Sequence, residues 1–198
     1  GRVETGTYWK IHYSREAENL SVAELKQEFR DLLRTSVRRT LDGRQLGAFL
    51  SGGTDSSTVS GILGEVSREP VKTYSIGFDV EGYDEMTYAR IAARHFKTQH
   101  HEYYVTPADI VAAIPKIAQV YAEPFGNASA LAAYYCAARA REDGMAKLLA
   151  GDGGDEIFGG NARYAKQHVF SLYSDLPQAV RRGIIEPLVF SLPGGAGI

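Results

Sequence analysis

From Leu46 the chain passes from an apolar run, Leu46-Gly47-Ala48-Phe49-Leu50, into Ser51-Gly52-Gly53-Thr54-Asp55-Ser56-Ser57. Residue types in this order can hold phosphate. Two adjacent glycines open backbone conformations closed to residues with a Cβ and bring main-chain N–H groups close to an anion. Ser51, Ser56 and Ser57 add hydroxyl donors, and a following helix aims the positive end of its dipole at the same point. The turn has no P-loop lysine and lacks the three spaced glycines of a dinucleotide fingerprint. A second segment, Gly151-Asp152-Gly153-Gly154-Asp155-Glu156-Ile157-Phe158-Gly159-Gly160, follows the apolar run Lys147-Leu148-Leu149-Ala150 and sets three acids among glycines. Acids beside a phosphate loop repel the ligand unless a hard cation lies between them, and Mg²⁺ binds through one or two carboxylates plus substrate phosphate oxygens. The two segments make sense together as one site for Mg-ATP. The second lacks the alternating acids and terminal glutamate of a calcium hand loop.

These turns need strands that end at one edge. Ser21-Val22-Ala23-Glu24 is a capping box, and Leu25, Phe29, Leu32, Leu33 and Val37 repeat at helical spacing up to Leu41, which predicts a helix with one buried face. A strand at 46–50 follows, then a helix over about 55–67, a strand at 71–77, a helix over about 84–95 and a strand at 101–105. Pro107 or Ala108 opens a helix that runs to about Tyr121; Ala128 to Arg141 form another, and Lys147 to Ala150 a fourth strand. Strands alternating with helices predict an α/β fold, an open parallel sheet flanked by helices, with ligands beyond the carboxyl ends of the strands. Both glycine segments begin at such ends.

Composition narrows the class. The 198 residues are 44% apolar and 23% charged, enough for one full core. A net charge of −2 leaves no basic footprint, so nucleic acid is not expected as partner. No run reaches the ~18 apolar residues of a membrane span, and no signal-peptide pattern opens the chain; no membrane association is expected, and a cytoplasmic location is. The lone cysteine, Cys136, offers no disulfide or zinc framework and reads as a small core residue. His95, His100 and His101 lack a spaced acid or cysteine partner and read as solvated surface residues. Tyr103, Tyr104, Tyr134 and Tyr135 read as packing aromatics.

Ser-Gly-Gly-x-Asp-Ser resembles the pyrophosphate loop of the ATP pyrophosphatases. Taken with Gly151-Asp152-Gly153-Gly154-Asp155-Glu156-Ile157-Phe158-Gly159-Gly160, the chain resembles the synthetase domain of the glutamine-dependent asparagine synthetase family, with β-lactam synthetase a close relative. The resemblance runs from about Tyr8 to the region of Tyr164. It takes in Tyr8-Trp9, Thr73-Tyr74-Ser75-Ile76-Gly77-Phe78, Tyr83-Asp84-Glu85, Tyr88-Ala89, and Glu123-Pro124-Phe125 with Ala128-Ser129-Ala130. Ala122 stands where an aspartate is common, Ala128 where a serine is, and Asn161 where a tyrosine is frequent. The implied fold is adenine nucleotide alpha hydrolase-like. The implied domains are a linker over 1–20 from an absent amino-terminal glutaminase domain, an ATP-binding core over 21–170, and the start of a truncated helical region over 171–198. The chain thus reads as a piece of a larger amidotransferase, and a homodimer is compatible with it.

The resemblance implies a carboxylate, aspartate in the family, that attacks the α-phosphorus of ATP and expels pyrophosphate; ammonia from the glutaminase then displaces AMP and leaves an amide. Ser51, Gly52, Gly53, Ser56 and Ser57 would hold the pyrophosphate. Asp55 and Asp155 would hold magnesium. Asp152 falls where a glutamate commonly positions substrate and ammonia. Leu50 and Ile76 would flank the adenine, the backbone at Ile76 and Gly77 would read its edge, and Gly151 would approach the adenosine. Two alternatives stand beside this: a nucleotide-binding module without catalysis, and an amidotransferase acting on another carboxylate.

Overall fold

The computed structural model describes residues 2–10, 12, 19–79, 84–123, 126–127, 129–160 and 162–191. Tyr83, Pro124, Phe125, Ala128 and Asn161, all singled out in the sequence, lie outside them. The chain divides into two compact units, Gly1–Gly151 and Asp152–Ile198.

The first unit begins without regular structure, Tyr8 and Trp9 being exposed. α1 spans Val22–Thr40 and opens on the expected capping box: the Glu24 N–H donates to Ser21 Oγ at 3.3 Å, and the Ser21 N–H donates to Glu24 Oε2 at 2.8 Å. Then come β1 (Leu46–Phe49), α2 (Thr54–Val66), β2 (Lys72–Phe78), α3 (Met86–Phe96), β3 (Gln99–Val105), α4 (Pro107–Val120), α5 (Ser129–Glu142) and β4 (Lys147–Leu149). The strands form one parallel sheet in the order β3-β2-β1-β4, the open parallel α/β sheet expected from the sequence.

β1 lies in the middle and is covered on both faces, with Gly47 and Ala48 buried and Leu46 and Phe49 partly buried, as a covered parallel sheet requires. Ala48 joins Val37, Ile62, Leu63 and Val71 in a cluster beneath α1 and α2. Tyr74, Cys136 and Ala140 form another beneath α5, with Phe49, Ile76 and Leu148 packed against them. Burial pushes the Cys136 thiol up to about 12, the mark of an inert core cysteine. Tyr103, Tyr134 and Tyr135 do pack together, with ring centroids 5.5 and 5.1 Å apart.

Two expectations need correction. Only the carboxyl half of α1 is buried: Val37 and Leu33 meet the core, whereas Leu25, Phe29 and Leu32 are exposed. A helix of 19 residues is about 28 Å long, more than twice the ~13 Å of a four-residue strand, so its first half overruns the sheet. His100 is not a solvated surface residue, because β3 begins at Gln99 and draws it into the ladder. Its side chain is 10% exposed, Nδ1 lies 3.0 Å from Thr73 Oγ1, and burial pushes its pKa down.

The second unit, described by itself, is helical: α6 (Gly154–Phe158), α7 (Ala162–Asp175), α8 (Gln178–Val180), a π-helical turn at Arg181–Ile185, and α9 (Glu186–Phe190). Among the described residues no helix is long and apolar enough to cross a membrane.

Candidate functional site

β1 ends at Phe49, and Leu50 leaves the sheet while still tied to it. Its N–H donates to the Tyr74 carbonyl at 3.0 Å, and its carbonyl accepts from the Ser75 hydroxyl. Leu50 is fully buried against Met86, Ala89, Ala92 and Ala93 of α3. The phosphate-type turn therefore starts from a fixed point.

Within the turn, hydroxyls shape backbone. The Ser51 N–H donates to Ser56 Oγ at 3.2 Å, the Gly53 N–H donates to Ser51 Oγ at 3.2 Å, and the two hydroxyl oxygens are 3.0 Å apart. Ser57 Oγ is shielded from solvent with no hydrogen-bond partner among the described residues. Only one of the two glycines uses its conformational freedom. Gly52 has φ +86°, and a Cβ there would run into the Tyr88 carbonyl carbon and stand 2.5 Å from the Ala89 nitrogen. Gly53 has φ −67°, ordinary extended backbone, and serves as the N-cap of α2 without a side-chain cap.

That missing cap matters. The first bond of the helical ladder runs from the Ser57 N–H to the Gly53 carbonyl at 3.1 Å, so the N–H groups of Thr54, Asp55 and Ser56 have no acceptor within the helix. Three uncommitted donors at the positive end of a 13-residue helix form a seat for an anion. Asp55, in the same turn, is half-buried and makes no hydrogen bond or ion pair among the described residues.

The strand order completes the seat. The chain steps outward from β1 to β2 and β3, then returns to the other side of β1 as β4, which opens a crevice at the carboxyl ends of β1 and β4. Gly151, just past β4, fills its near wall: a Cβ there would lie 2.6 Å from both the Asp55 carbonyl carbon and the Ser56 nitrogen. Leu50, Ser51, Gly52, Gly53, Asp55, Ser56, Ser57 and Gly151 are thus gathered at one edge.

Ile76 and Gly77 stand on the neighbouring strand. β1 pairs with β2 only at Ala48–Thr73 and Phe49–Tyr74, so the Ile76 backbone lies past the end of that ladder. The Ile76 side chain belongs to the core cluster under α5. Gly77 leaves room for the Tyr104 ring, which would come within 2.6 Å of a Cβ there, and the Tyr104 hydroxyl donates to Asp84 Oδ2 at 3.1 Å. The close seat of Tyr88 and Ala89 against Gly52 escaped the sequence reading, since no spacing rule links a turn to a helix this far downstream.

In the second unit, α6 carries Asp155 and Glu156 in its first turn, with Gly153 before it and Gly159 after it at φ +96° and +69°. A Cβ at Gly160 would strike Asp155 Oδ1. Partial desolvation and a hydrogen bond to Glu156 raise the Tyr164 pKa. No group of three or more His, Cys, Asp or Glu converges among the described residues, so a cation here would depend on ligand oxygens as well.

A cavity of about 240 Å³ lies beside Ile76, between β2, β3 and the end of α5. Its polar groups are satisfied by one another: the Tyr74 hydroxyl donates to Asp143 at 2.9 Å, His101 lies 3.0 Å from Asp143, and Arg139 pairs with Glu142 at 2.9 Å.

Comparison with known proteins bears on the same residues. Residues 28–192 match the family model for asparagine synthase. A putative glutamine-hydrolysing asparagine synthetase 2 of Methanocaldococcus jannaschii is 39% identical over 160 residues, 80% of this chain and 31% of that protein. Glutamine-hydrolysing asparagine synthetase 1 of Bacillus subtilis is 25% identical over 187 residues, 93% of this chain and 29% of that protein. The chain therefore spans less than a third of either relative. Among solved structures, the NMN synthetase of Francisella tularensis superposes with a TM-score of 0.44 at 19% identity, covering 65% of this chain and 54% of that one.

Proposed function

Because this chain belongs to the asparagine synthase family, we propose that it is the nucleotide-binding part of a cytoplasmic synthetase that adenylates a carboxylate, aspartate by family, and forms an amide with ammonia derived from glutamine. The observation that carries this reading is the uncapped amino end of α2, seated between Gly52 and Gly151. The N–H groups of Thr54, Asp55 and Ser56 would hold the β- and γ-phosphates, where negative charge builds as pyrophosphate leaves. Donors already in place need no reorganisation as that charge develops. Gly52 and Gly151 let the walls of the cradle pack closely against neighbouring backbone, and Leu50, anchored to β2, would back the adenosine. The Ile76 backbone, past the end of the β1–β2 ladder, would read the adenine edge, with Gly77 beside it.

Asp55 suits magnesium, being partly shielded and unengaged in the same turn as the phosphate donors; Asp155 would be the second carboxylate, as the sequence nominates, and Asp152 would help position substrate and ammonia. When bound, the ion would neutralise charge on the leaving pyrophosphate. The test is equilibrium binding of Mg-ATP, together with aspartate- and ammonia-dependent release of AMP and pyrophosphate. Binding that Asp55→Asn weakens and Gly52→Ala abolishes is the expected result. Equal affinity in all three proteins would overturn the assignment of the turn, and ATP cleaved to ADP would overturn the chemistry.

A further inference from the structure

Tyr88 has no part in the chemistry above, yet it stands beside the turn that does. We propose that its phenol is a further hydrogen-bond donor to the pyrophosphate end of the bound nucleotide, an inference that rests on the function proposed above. Its backbone is held on every side. The Tyr88 N–H donates to the Glu85 carbonyl at 3.0 Å. Met86 and Ala89, its close neighbours in α3, are 1% exposed against Leu50. Arg90 is clamped to Glu102 through two bonds of 2.8 and 2.6 Å. A Cβ on Gly52 would lie 2.5 Å from the Tyr88 Cβ, so the side chain springs from the wall of the phosphate turn.

The rest of that side chain is left in water. Tyr88 is 64% exposed, and its hydroxyl has no partner among the described residues. Four other tyrosines of this unit spend theirs on the fold: Tyr74 donates to Asp143, Tyr103 to Asp109, Tyr104 to Asp84 and Tyr135 to the Asp109 carbonyl. A ring on so rigid a stalk adds little to stability while exposed. Its hydroxyl is a free donor on a side chain rooted against Gly52, in the same turn that leads to the three free backbone donors, and the ligand proposed for them is a polyphosphate.

The test is calorimetric binding of magnesium pyrophosphate and, separately, of AMP to the full chain and to Tyr88→Phe, which removes the hydroxyl alone. The expected result is an unchanged melting temperature, unchanged AMP affinity, and pyrophosphate affinity reduced roughly tenfold, the usual scale for a hydrogen bond to a charged group. Pyrophosphate binding equal to that of the parent chain would overturn the inference, as would equal loss for both ligands with a lowered melting temperature. Failure of the parent chain to bind pyrophosphate would instead remove the proposed function, and this inference with it.

Discussion

The two glycine-rich turns use most of their glycines differently. In the first unit, Gly52 and Gly151 are needed because other backbone occupies the space of a side chain: Tyr88 and Ala89 in one case, Asp55 and Ser56 in the other. In the second unit, Gly153 and Gly159 have nothing within 4 Å of an added Cβ and are needed only for handedness, at φ +96° and +69°. The first turn is a packed object braced by two helices and two strands; the second is a surface helix of five residues whose glycines set the direction of the chain. A motif of small residues therefore says nothing about rigidity until its surroundings are known.

Substitutions separate the two uses, and the largest effect belongs to Gly52→Ala. It combines a left-handed backbone, ~1–3 kcal/mol for a residue with a side chain, with overpacking against helix backbone that cannot yield, another ~1–3 kcal/mol. Loss of Mg-ATP binding and a denaturation midpoint lowered in proportion are expected; a midpoint within error of the parent would break the contrast. Gly151→Ala comes next, at ~1–3 kcal/mol, because its backbone needs no special conformation and only the contact is lost. Nucleotide affinity should fall with it.

Gly153→Ala should cost ~1–2 kcal/mol through handedness alone, and Gly153→Asn should recover part of that, since asparagine tolerates the left-handed region. Rescue by asparagine at 153 with none at 52, read in parallel thermal melts, would sharpen the comparison. No rescue at 153 would show that the open turn is crowded after all.

The smallest effect concerns the brace behind the first turn. Hydrogen bonding to Arg90 holds the Glu102 carboxyl below its ordinary value of 4.5. A carboxylate lowered in the folded state adds stability that is present above the ordinary value and is lost as pH falls through the lower, folded one. The pair is partly exposed, so Glu102→Gln should cost less than ~1 kcal/mol at pH 7. The gap between parent and variant in urea melts should close below pH 4.5; a gap that widened in acid would refute the brace.

Much of this was legible in the sequence for a physical reason. Element order and sheet class follow from hydrophobic period and from caps such as Ser21–Glu24, which are local. The turn proposed to hold phosphate was legible as a turn because it lies within seven consecutive residues, Ser51–Ser57. What failed was non-local. The exposed amino half of α1 depends on how long a helix is relative to the strands it covers, and the burial of His100 depends on a ladder that starts two residues earlier than propensity suggested. The seating of Gly52 on Tyr88 and of Gly151 on Asp55 depends on packing between elements far apart in the chain. The reading of paired glycines as equally contorted was half right, because a helix N-cap needs only extended backbone.

The contact of Gly151 with Asp55 and Ser56 also sets a timetable. The wall that Gly151 forms arrives only after α2 to α5 have been made and β4 has joined the sheet beside β1, so the turn that begins near residue 51 stays unfinished while that whole stretch is synthesised. The crevice takes its final shape late and all at once, a consequence of closing a long loop before its contacts are rewarded. A nascent chain halted before β4 would carry the complete serine-glycine motif and still present only half a cup.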